Sequence, residues 1–221
     1  MDLKELKQLV NQGEGFKIEF KKKAADPLKI MKEVVAFANK YGGYLIVGVA
    51  DDGRIDGFTD IEGEKFVLEQ AINTYLSKKI DYTIHIVQIS ALRQVLVFEI
   101  PPSEKQPIFL LYNLKRRIGK PYIRVEDKSI QMSKVIRKIL KARSREESHA
   151  VSFGDDERKI IQLIDENGYI TIDQIVKELQ LPEVEVEDKM IGLCLSNILQ
   201  EMPRETADRF IIHPTSALSW K

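Results

Sequence analysis

The sequence predicts an α/β domain followed by a smaller, mostly helical domain. The chain has 221 residues, of which 43% are hydrophobic, so two domains with proper cores are possible. Apolar residues have helical spacing in some segments and form short runs or alternate in others. A polar stretch at residues 144–155 separates residues 1–143 from residues 156–221 and is the predicted linker.

The two parts of the chain differ in charge, although the net charge of the whole is zero. Residues 1–154 contain 27 Lys and Arg against 20 Asp and Glu, a net charge of +7. Residues 155–221 contain 7 against 14, a net charge of −7. This asymmetry predicts an anion-binding N-terminal part and an acidic appendage.

The composition argues against several classes of protein. A single cysteine, Cys194, excludes an intrachain disulfide and a cysteine-rich zinc site. The first ten residues contain no long apolar stretch, so no signal peptide is predicted. No run approaches the length of a membrane-spanning helix. These observations predict a cytoplasmic protein.

The N-terminal segment is predicted to form a helix and then a strand. Apolar residues have helical spacing up to Val10, and Gly13 ends that segment. Residues 16–20 alternate between apolar and charged side chains, which predicts a half-buried strand. Glu19 lies between two lysines and is predicted on the solvated face of that strand.

The next segment predicts a helix, a tight turn and a buried strand. Asp26 can cap a helix that has Pro27 at its first position. Gly42 fits the left-handed conformation that follows a helix end. Residues 44–49 form an apolar run typical of a buried strand, and residues 50–58 predict a hairpin.

The remaining elements follow from the same rules of spacing and capping. Those before the linker are a helix over 64–79, strands over 82–90 and 94–100, a hairpin within 112–130, and a helix from Ser133 to about Arg143. Those after it are helices over 156–166, 172–180 and 184–199 and a strand over 209–214. Their order suits a winged-helix-like domain, although order alone does not establish function.

The double glycine at positions 42 and 43 raises the possibility of a phosphate-binding loop. Such a loop runs from a strand into a helix and contains Gly-Lys-Ser or Gly-Lys-Thr. Here a helix precedes the glycines, a strand follows them, and that motif is absent from the chain. The glycines are therefore interpreted as a helix end and a tight entry into a strand.

Three segments together resemble the AlbA-like domain of Schlafen-type proteins. They are GEGFKIEFK at 13–21, AFANKYGGYLIVGVADDGRIDGF at 36–58 and KPYIRVED at 120–127. The matching central residues are Asn39, Gly42, Gly43, Gly48 and Gly57. The resemblance covers residues 10–143 and implies an α/β fold that binds DNA, often in transcriptional regulators, and in some members ATP. Many members have Gly-Ser shortly after the arginine of the late strand, whereas Val125, Glu126 and Asp127 follow Arg124 here.

Some Schlafen proteins are similar to metal-dependent ribonucleases. The resemblance implies that their three carboxylates would be Glu14, Glu19 and Asp51 in this chain, with Asp52 as a rival for the third position. Clustered carboxylates can bind Mg²⁺ or Mn²⁺, which polarise a phosphate and activate water. The alternative is that Glu19 is a surface residue and that Asp51 and Asp52 belong to an ordinary turn.

Basic residues provide the main indication of a nucleic-acid partner. They are concentrated around the first strand and the late hairpin: Lys17, Lys21, Lys22, Lys23, Lys115, Arg116, Arg117, Lys120 and Arg124. Tyr112 and Tyr122 lie among them and could stack on bases. The leading prediction is a DNA- or RNA-binding regulator without catalysis. The alternatives are a metal-dependent nuclease and an ATP-binding or protein-interaction module.

The histidines have no metal-ligand spacing, and His85, His149 and His213 are not predicted as ligands. The helix over 184–199 has more apolar residues than one packing face needs. It is predicted to be either a buried helix or a homo-oligomer interface.

Overall fold

The computed structural model describes residues 1–146 and 153–216. The chain forms two compact units, Met1–Gln131 and Met132–Lys221. The domain boundary predicted from the sequence comes later in the chain. Part of the predicted linker, residues 147–152, lies outside the described residues, as does His149.

The first unit begins with helix α1, Leu3–Gln12, as its apolar spacing predicts. Asp2 Oδ1 accepts a hydrogen bond from the Glu5 N–H at 2.8 Å, and Glu5 Oε2 accepts one from the Asp2 N–H at 2.7 Å. This reciprocal cap satisfies N–H groups that have no partner within the helix. Gly13 ends the helix with a φ of 74°, a conformation that favours glycine.

Strand β1, Ile18–Lys21, is more buried than its alternating sequence predicts. Its apolar residues share a core with those of α1. Glu19 is only 8% exposed, so the prediction that it lies on a solvated face is wrong. The reason is a buried partner, Arg124, described below. Phe16 lies before the strand and is 52% exposed.

Helix α2, Pro27–Ala38, begins at the predicted residues. Asp26 Oδ1 accepts a hydrogen bond from the Lys29 N–H at 3.2 Å, and Pro27 occupies the first turn. Gly42 follows the helix with a φ of 69°, and the chain then enters strand β2, Gly43–Val47. The capping residues and the glycine are therefore confirmed in the roles that the sequence predicts.

Helix α3, Ile61–Tyr75, is followed by strand β3, Thr83–Ser90, and strand β4, Arg93–Ile100. Strand β2 lies inside a four-stranded sheet with the order β1-β2-β4-β3. The β1–β2 pair is parallel and the other pairs are antiparallel. One face of the sheet packs against α2 and α3, and the other packs against α1. Because both faces are covered, β2 is apolar along its length.

The segment after β2 folds back as the predicted hairpin requires, but it forms isolated bridges in place of a regular strand pair. Val49 and Ile55 form one isolated antiparallel bridge, and Phe58 forms another with Gln94. Both edges of β2 are already paired, one with β1 and the other with β4. No edge is left for a returning strand, so the segment only turns.

A second, three-stranded sheet completes the first unit. It consists of β5 (Phe109–Asn113), β6 (Ile118–Val125) and β7 (Lys128–Gln131) in the order β5-β6-β7. Its strands are antiparallel, and β6 packs against α2. The hairpin predicted within residues 112–130 is thus extended by a third strand.

The second unit is a helical unit with a short β-hairpin. Its elements are α4 (Lys134–Arg143), α5 (Asp155–Asn167), α6 (Ile172–Leu179), α7 (Glu183–Leu195), β8 (Leu199–Met202) and β9 (Arg209–Ile212). Helix α4 belongs here because Val135 and Ile139 pack into the core of this unit. Helix α7 ends earlier than predicted because Asn197, with a φ of 55°, turns the chain into β8. The winged-helix-like assignment remains a prediction.

The core of the second unit takes up the apolar surface of α7. Val186, Met190 and Leu193 have no solvent exposure. Cys194 is also buried, and burial raises the pKa of its thiol. These buried residues therefore pack within one chain, whereas Val184 at the start of the helix is 59% exposed, and the oligomer interface remains a prediction. In the described part of the chain, no helix combines the length and apolar character needed to cross a bilayer.

The structural boundary also changes the charge asymmetry. Residues 1–131 contain 21 Lys and Arg against 18 Asp and Glu, a net charge of +3. Residues 132–221 contain 13 against 16, a net charge of −3. The basic α4 segment accounts for the difference from the values at the predicted boundary. Net charge therefore distinguishes the two units less strongly than the sequence suggested.

Gly42→Ala is expected to lower the free energy of unfolding by about 3 kcal/mol, measured by urea unfolding. A Cβ atom at Gly42 would lie 2.5 Å from the Ile100 carbonyl oxygen, in addition to the cost of its positive φ. Gly53→Ala is the matched control, since Gly53 has a φ of 83° and its added Cβ would meet only Val10 Cγ1, at 3.7 Å. We expect a loss of about 1 kcal/mol for the control. Equal losses in the two variants would contradict the proposed steric contact.

Glu187→Gln is expected to destabilise the second unit by about 1 kcal/mol at pH 7. Glu187 is 3% exposed, and its Oε2 lies 2.9 Å from Lys134 Nζ and 3.2 Å from Lys138 Nζ. Burial raises the pKa of this carboxyl, but the two ammonium groups more than offset it and hold the pKa below its usual value.

A carboxyl with a lowered pKa stabilises the fold above its unfolded pKa, and the effect is lost as the pH falls through the folded value. The stability difference between wild type and Glu187→Gln should therefore shrink below about pH 4.5, the usual pKa of Glu. Glu185→Gln, an exposed position on the same helix, is the control. Unfolding curves between pH 3 and pH 7, about the range of carboxyl titration, test this. A pH-independent difference would contradict it.

Candidate nucleic-acid interface

The side chain of Arg124, in β6, lies inside the first unit and is 1% exposed. Its guanidinium donates from Nε and Nη2 to the Gly15 carbonyl oxygen at 3.0 and 2.8 Å. Nη2 also donates to Glu19 Oε2 at 2.8 Å, and Nη1 donates to Glu33 Oε2 at 2.7 Å. The ring of Phe37 lies 5.1 Å from the guanidinium carbon. The sequence predicts Arg124 at the nucleic-acid surface, but these partners bury it.

The Arg124 network joins segments that are distant in sequence. Glu33 lies on α2 and also accepts a hydrogen bond from the Ser129 hydroxyl of β7. Gly15 belongs to the loop before β1, and its N–H donates to the Ile18 carbonyl oxygen at 3.0 Å. The network therefore fixes that loop and β1 against α2 and the second sheet.

The acidic residues implied by the resemblance lie near one another but have other partners. Glu14 Oε1 accepts a hydrogen bond from the Phe20 N–H at 2.8 Å. Burial raises the pKa of Glu14, and the negative charges of Glu19 and Asp51 add to this rise. Asp52 Oδ1 accepts a hydrogen bond from the Arg54 N–H at 3.0 Å, which is the ordinary turn chemistry considered above.

These carboxylates do not fit a divalent metal as arranged. Glu19 bonds to Lys21 Nζ through Oε1 and to Arg124 through Oε2, so both oxygens already have cationic partners. Across residues 1–146 and 153–216, no cluster of three or more His, Cys, Asp or Glu side chains is placed to hold a metal ion. The metal site predicted at Glu14, Glu19 and Asp51 is therefore not formed in this structure.

The central motif has a packing role. Asn39 is 1% exposed, and its amide group donates to the carbonyl oxygens of Ile108 and Tyr122 at 2.8 and 2.9 Å. Its Oδ1 accepts a hydrogen bond from the Ile108 N–H at 2.7 Å. A Cβ atom at Gly48 would lie 3.1 Å from the Cα of Gly57. The Asn39 hydrogen bonds join the end of α2 to the second sheet, and the close contact between Gly48 and Gly57 gives these two glycines a packing role.

The predicted basic residues are otherwise at the surface. Lys17, Lys22 and Lys23 around β1 are exposed, whereas Lys21 is half-buried against Glu19. Four more are exposed in the β5–β6 hairpin: Lys115, Arg116, Arg117 and Lys120. Among the described residues, no carboxylate forms an ion pair with any of these seven exposed cations.

The turn of the β5–β6 hairpin has a defined shape. Asn113 Oδ1 accepts a hydrogen bond from the Arg116 N–H at 2.9 Å. Arg117 has a φ of 51°, and its Nη2 donates to the Ser77 carbonyl oxygen at 2.7 Å. The turn therefore displays its cations from a fixed backbone.

The two tyrosines of the basic region differ in exposure. Tyr112 in β5 is 59% exposed. Tyr122 in β6 packs against the core, and Lys32 Nζ lies 5.5 Å from its ring centre. Tyr122 is thus unsuited to the base stacking predicted for it, whereas Tyr112 is accessible.

Two histidines of the described residues, His85 and His213, have local polar partners. His85 Nε2 lies 2.9 Å from Glu99 Oε2, and Glu99 Oε1 accepts a hydrogen bond from the Tyr44 hydroxyl at 3.1 Å. These bonds lower the pKa of Glu99. His213 contacts the Thr215 hydroxyl at 2.9 Å.

Arg124→Leu is expected to destabilise the first unit by about 3–5 kcal/mol, because Glu19 and Glu33 would lose the cation that compensates their burial. Chemical unfolding followed by circular dichroism measures the change. Arg116→Leu, an exposed arginine of the same hairpin region, should stay within about 0.5 kcal/mol of wild type. Similar stability of the two variants would show that the network contributes little.

Comparisons with known proteins place this geometry in a family. The N-terminal domain of a Nitrosomonas europaea protein named as related to the ATP-dependent DNA helicase RecG is 26% identical, with 54% of this chain and 88% of that domain covered and a TM-score of 0.41. The DIP2311 protein of Corynebacterium diphtheriae is 21% identical, with 77% of this chain and 31% of that protein covered and a TM-score of 0.45. At these TM-scores, neither likeness bears on function.

No curated protein matches the chain. Residues 14–133, more than half of the chain, match the family described as Schlafen, AlbA_2. The chain therefore belongs to the Schlafen AlbA_2 family.

Proposed function

We propose that the first unit binds the phosphate groups of a nucleic acid and that the protein acts in transcriptional regulation. The supporting observation is the set of exposed cations around β1 and in the β5–β6 hairpin, which form no ion pair with a carboxylate among the described residues. Exposed, unpaired Lys and Arg side chains are the groups that replace counterions on a phosphate backbone.

The cations of the second unit have a different setting. Lys134 and Lys138 of α4 pair with Glu187, and Arg143 pairs with Glu201. Lys189 of α7 lies 3.1 Å from Asp156 and 2.9 Å from Glu157. These four cations form ion pairs within the second unit, whereas Arg137 and Lys141 of α4 are exposed.

In a winged-helix interpretation, α7 would have to enter a DNA groove. The exposed charged residues at the start of α7 are acidic. Glu183, Glu185 and Asp188 of α7 are exposed. Their charges suit the positive end of the helix dipole but repel phosphate. The proposed phosphate contacts therefore lie in the first unit.

Neutralising the hairpin turn with Lys115→Gln, Arg116→Gln and Arg117→Gln together should weaken binding of labelled DNA or RNA. The plot of log affinity against log salt concentration should also become shallower, by about one unit for each lost phosphate contact. Fluorescence anisotropy over a salt series measures both effects.

The matched control neutralises three exposed cations of the second unit, with Arg158→Gln, Lys159→Gln and Lys177→Gln. It makes the same change in net charge and should leave the salt dependence unchanged. The proposal fails if the wild-type chain shows no salt-sensitive binding to either nucleic acid, or if the control triple weakens binding as much as the hairpin triple.

A further inference from the structure

The tip of the β5–β6 hairpin combines basic and apolar groups in a way that phosphate contacts alone do not require. Residues 112–120, YNLKRRIGK, contain four cations and no acidic residue. Three apolar side chains of the same segment are exposed: Tyr112 by 59%, Leu114 by 45% and Ile118 by 40%. A surface that only tracks a phosphate backbone needs the cations but not the apolar groups.

The strand geometry presents Tyr112 to solvent. In the β5–β6 ladder, Leu111 lies opposite Gly119 and Asn113 lies opposite Ile118. Tyr112 falls at the irregularity between these pairs and therefore has no cross-strand partner residue. Irregularities of this kind re-aim a side chain relative to the regular ladder.

Gly119 contributes to this arrangement. A Cβ atom at Gly119 would lie 2.4 Å from the Leu110 carbonyl oxygen, so the two strands approach too closely there for a side chain. The residue opposite Leu111, where the irregularity begins, therefore has no side chain.

We infer that the β5–β6 hairpin is a stacking platform for unpaired bases and that the protein prefers single-stranded to double-stranded nucleic acid. This inference rests on the proposed function and specifies its substrate class. In a duplex the base faces are stacked on one another, whereas in a single strand they are open to an aromatic ring. The hairpin cations would hold the backbone beside a base that stacks on Tyr112.

The test compares the affinities of the 221-residue chain and its variants for labelled oligonucleotides of one length. Each oligonucleotide is used as a single strand and after annealing to its complement. Wild type should bind the single strand more tightly. Tyr112→Ala should weaken single-strand binding about tenfold and leave duplex binding unchanged. Tyr112→Phe keeps the ring and should retain wild-type affinity, which separates stacking from loss of the hydroxyl.

Tyr41→Ala is the matched control. Tyr41 belongs to the same unit and is 52% exposed, but its ring lies against Lys40, with Nζ at 5.0 Å from the ring centre, outside the hairpin. We expect no change in affinity for this variant. A single strand containing the fluorescent base 2-aminopurine gives a second readout, because stacking on Tyr112 should change its emission in wild type and Tyr112→Phe but not in Tyr112→Ala.

The outcomes distinguish this inference from the function on which it rests. Salt-sensitive binding that is equal for single strand and duplex, or unaffected by Tyr112→Ala, would overturn the stacking platform and leave phosphate binding intact. Absence of binding to every oligonucleotide would overturn both. A lower solution mass of Tyr112→Ala with unchanged oligonucleotide affinity would assign the hairpin to contact between copies of the chain and overturn the stacking platform.

Discussion

The fold of the first unit depends on the hydrogen bonds and ion pairs formed by the buried guanidinium of Arg124. It bonds to the loop before β1 through Gly15, to β1 through Glu19 and to α2 through Glu33. Lys21 bonds to Glu19 through its other oxygen, so two carboxylates face two cations. A buried cluster of carboxylates and cations stabilises the fold only when it is complete, because removal of one member leaves a buried charge without a partner.

This network divides the residues of the family motifs into two kinds. Arg124, Glu19 and Asn39 are buried and satisfy one another or the backbone. The exposed lysines and arginines of the same segments form no ion pair with a carboxylate in the described part of the chain, although Arg117 donates a hydrogen bond to the Ser77 carbonyl oxygen. A count of charges along the sequence does not separate the two kinds, because both occur within the same short segments.

Local features of the fold could be predicted from the sequence. The caps at Asp26 and Ser133 and the positive φ of Gly42 depend on a few neighbouring residues, and the structure has them as predicted. Contacts between distant residues could not be predicted in this way. Arg124 and Glu19 are 105 positions apart, and alternation alone placed Glu19 in solvent.

The exposure of the proposed basic residues could be predicted to a similar extent. Seven of the nine proposed basic residues are exposed, whereas Arg124 is buried and Lys21 is half-buried. The difference arises because a basic residue on a strand has the same sequence pattern whether its side chain meets water or a carboxylate. The packing partner of α4 could not be predicted for a related reason, since only its contacts show which core it joins.

The close approach of the strands at Gly119 has a consequence for how this protein can diverge. The backbone of the hairpin is constrained at that position, where a side chain would meet the Leu110 carbonyl oxygen. The side chains of Lys115 and Arg116 lie in solvent beyond it. Substitutions of Lys115 and Arg116 are therefore expected to cost the fold little, whereas any side chain at position 119 would force the two strands apart.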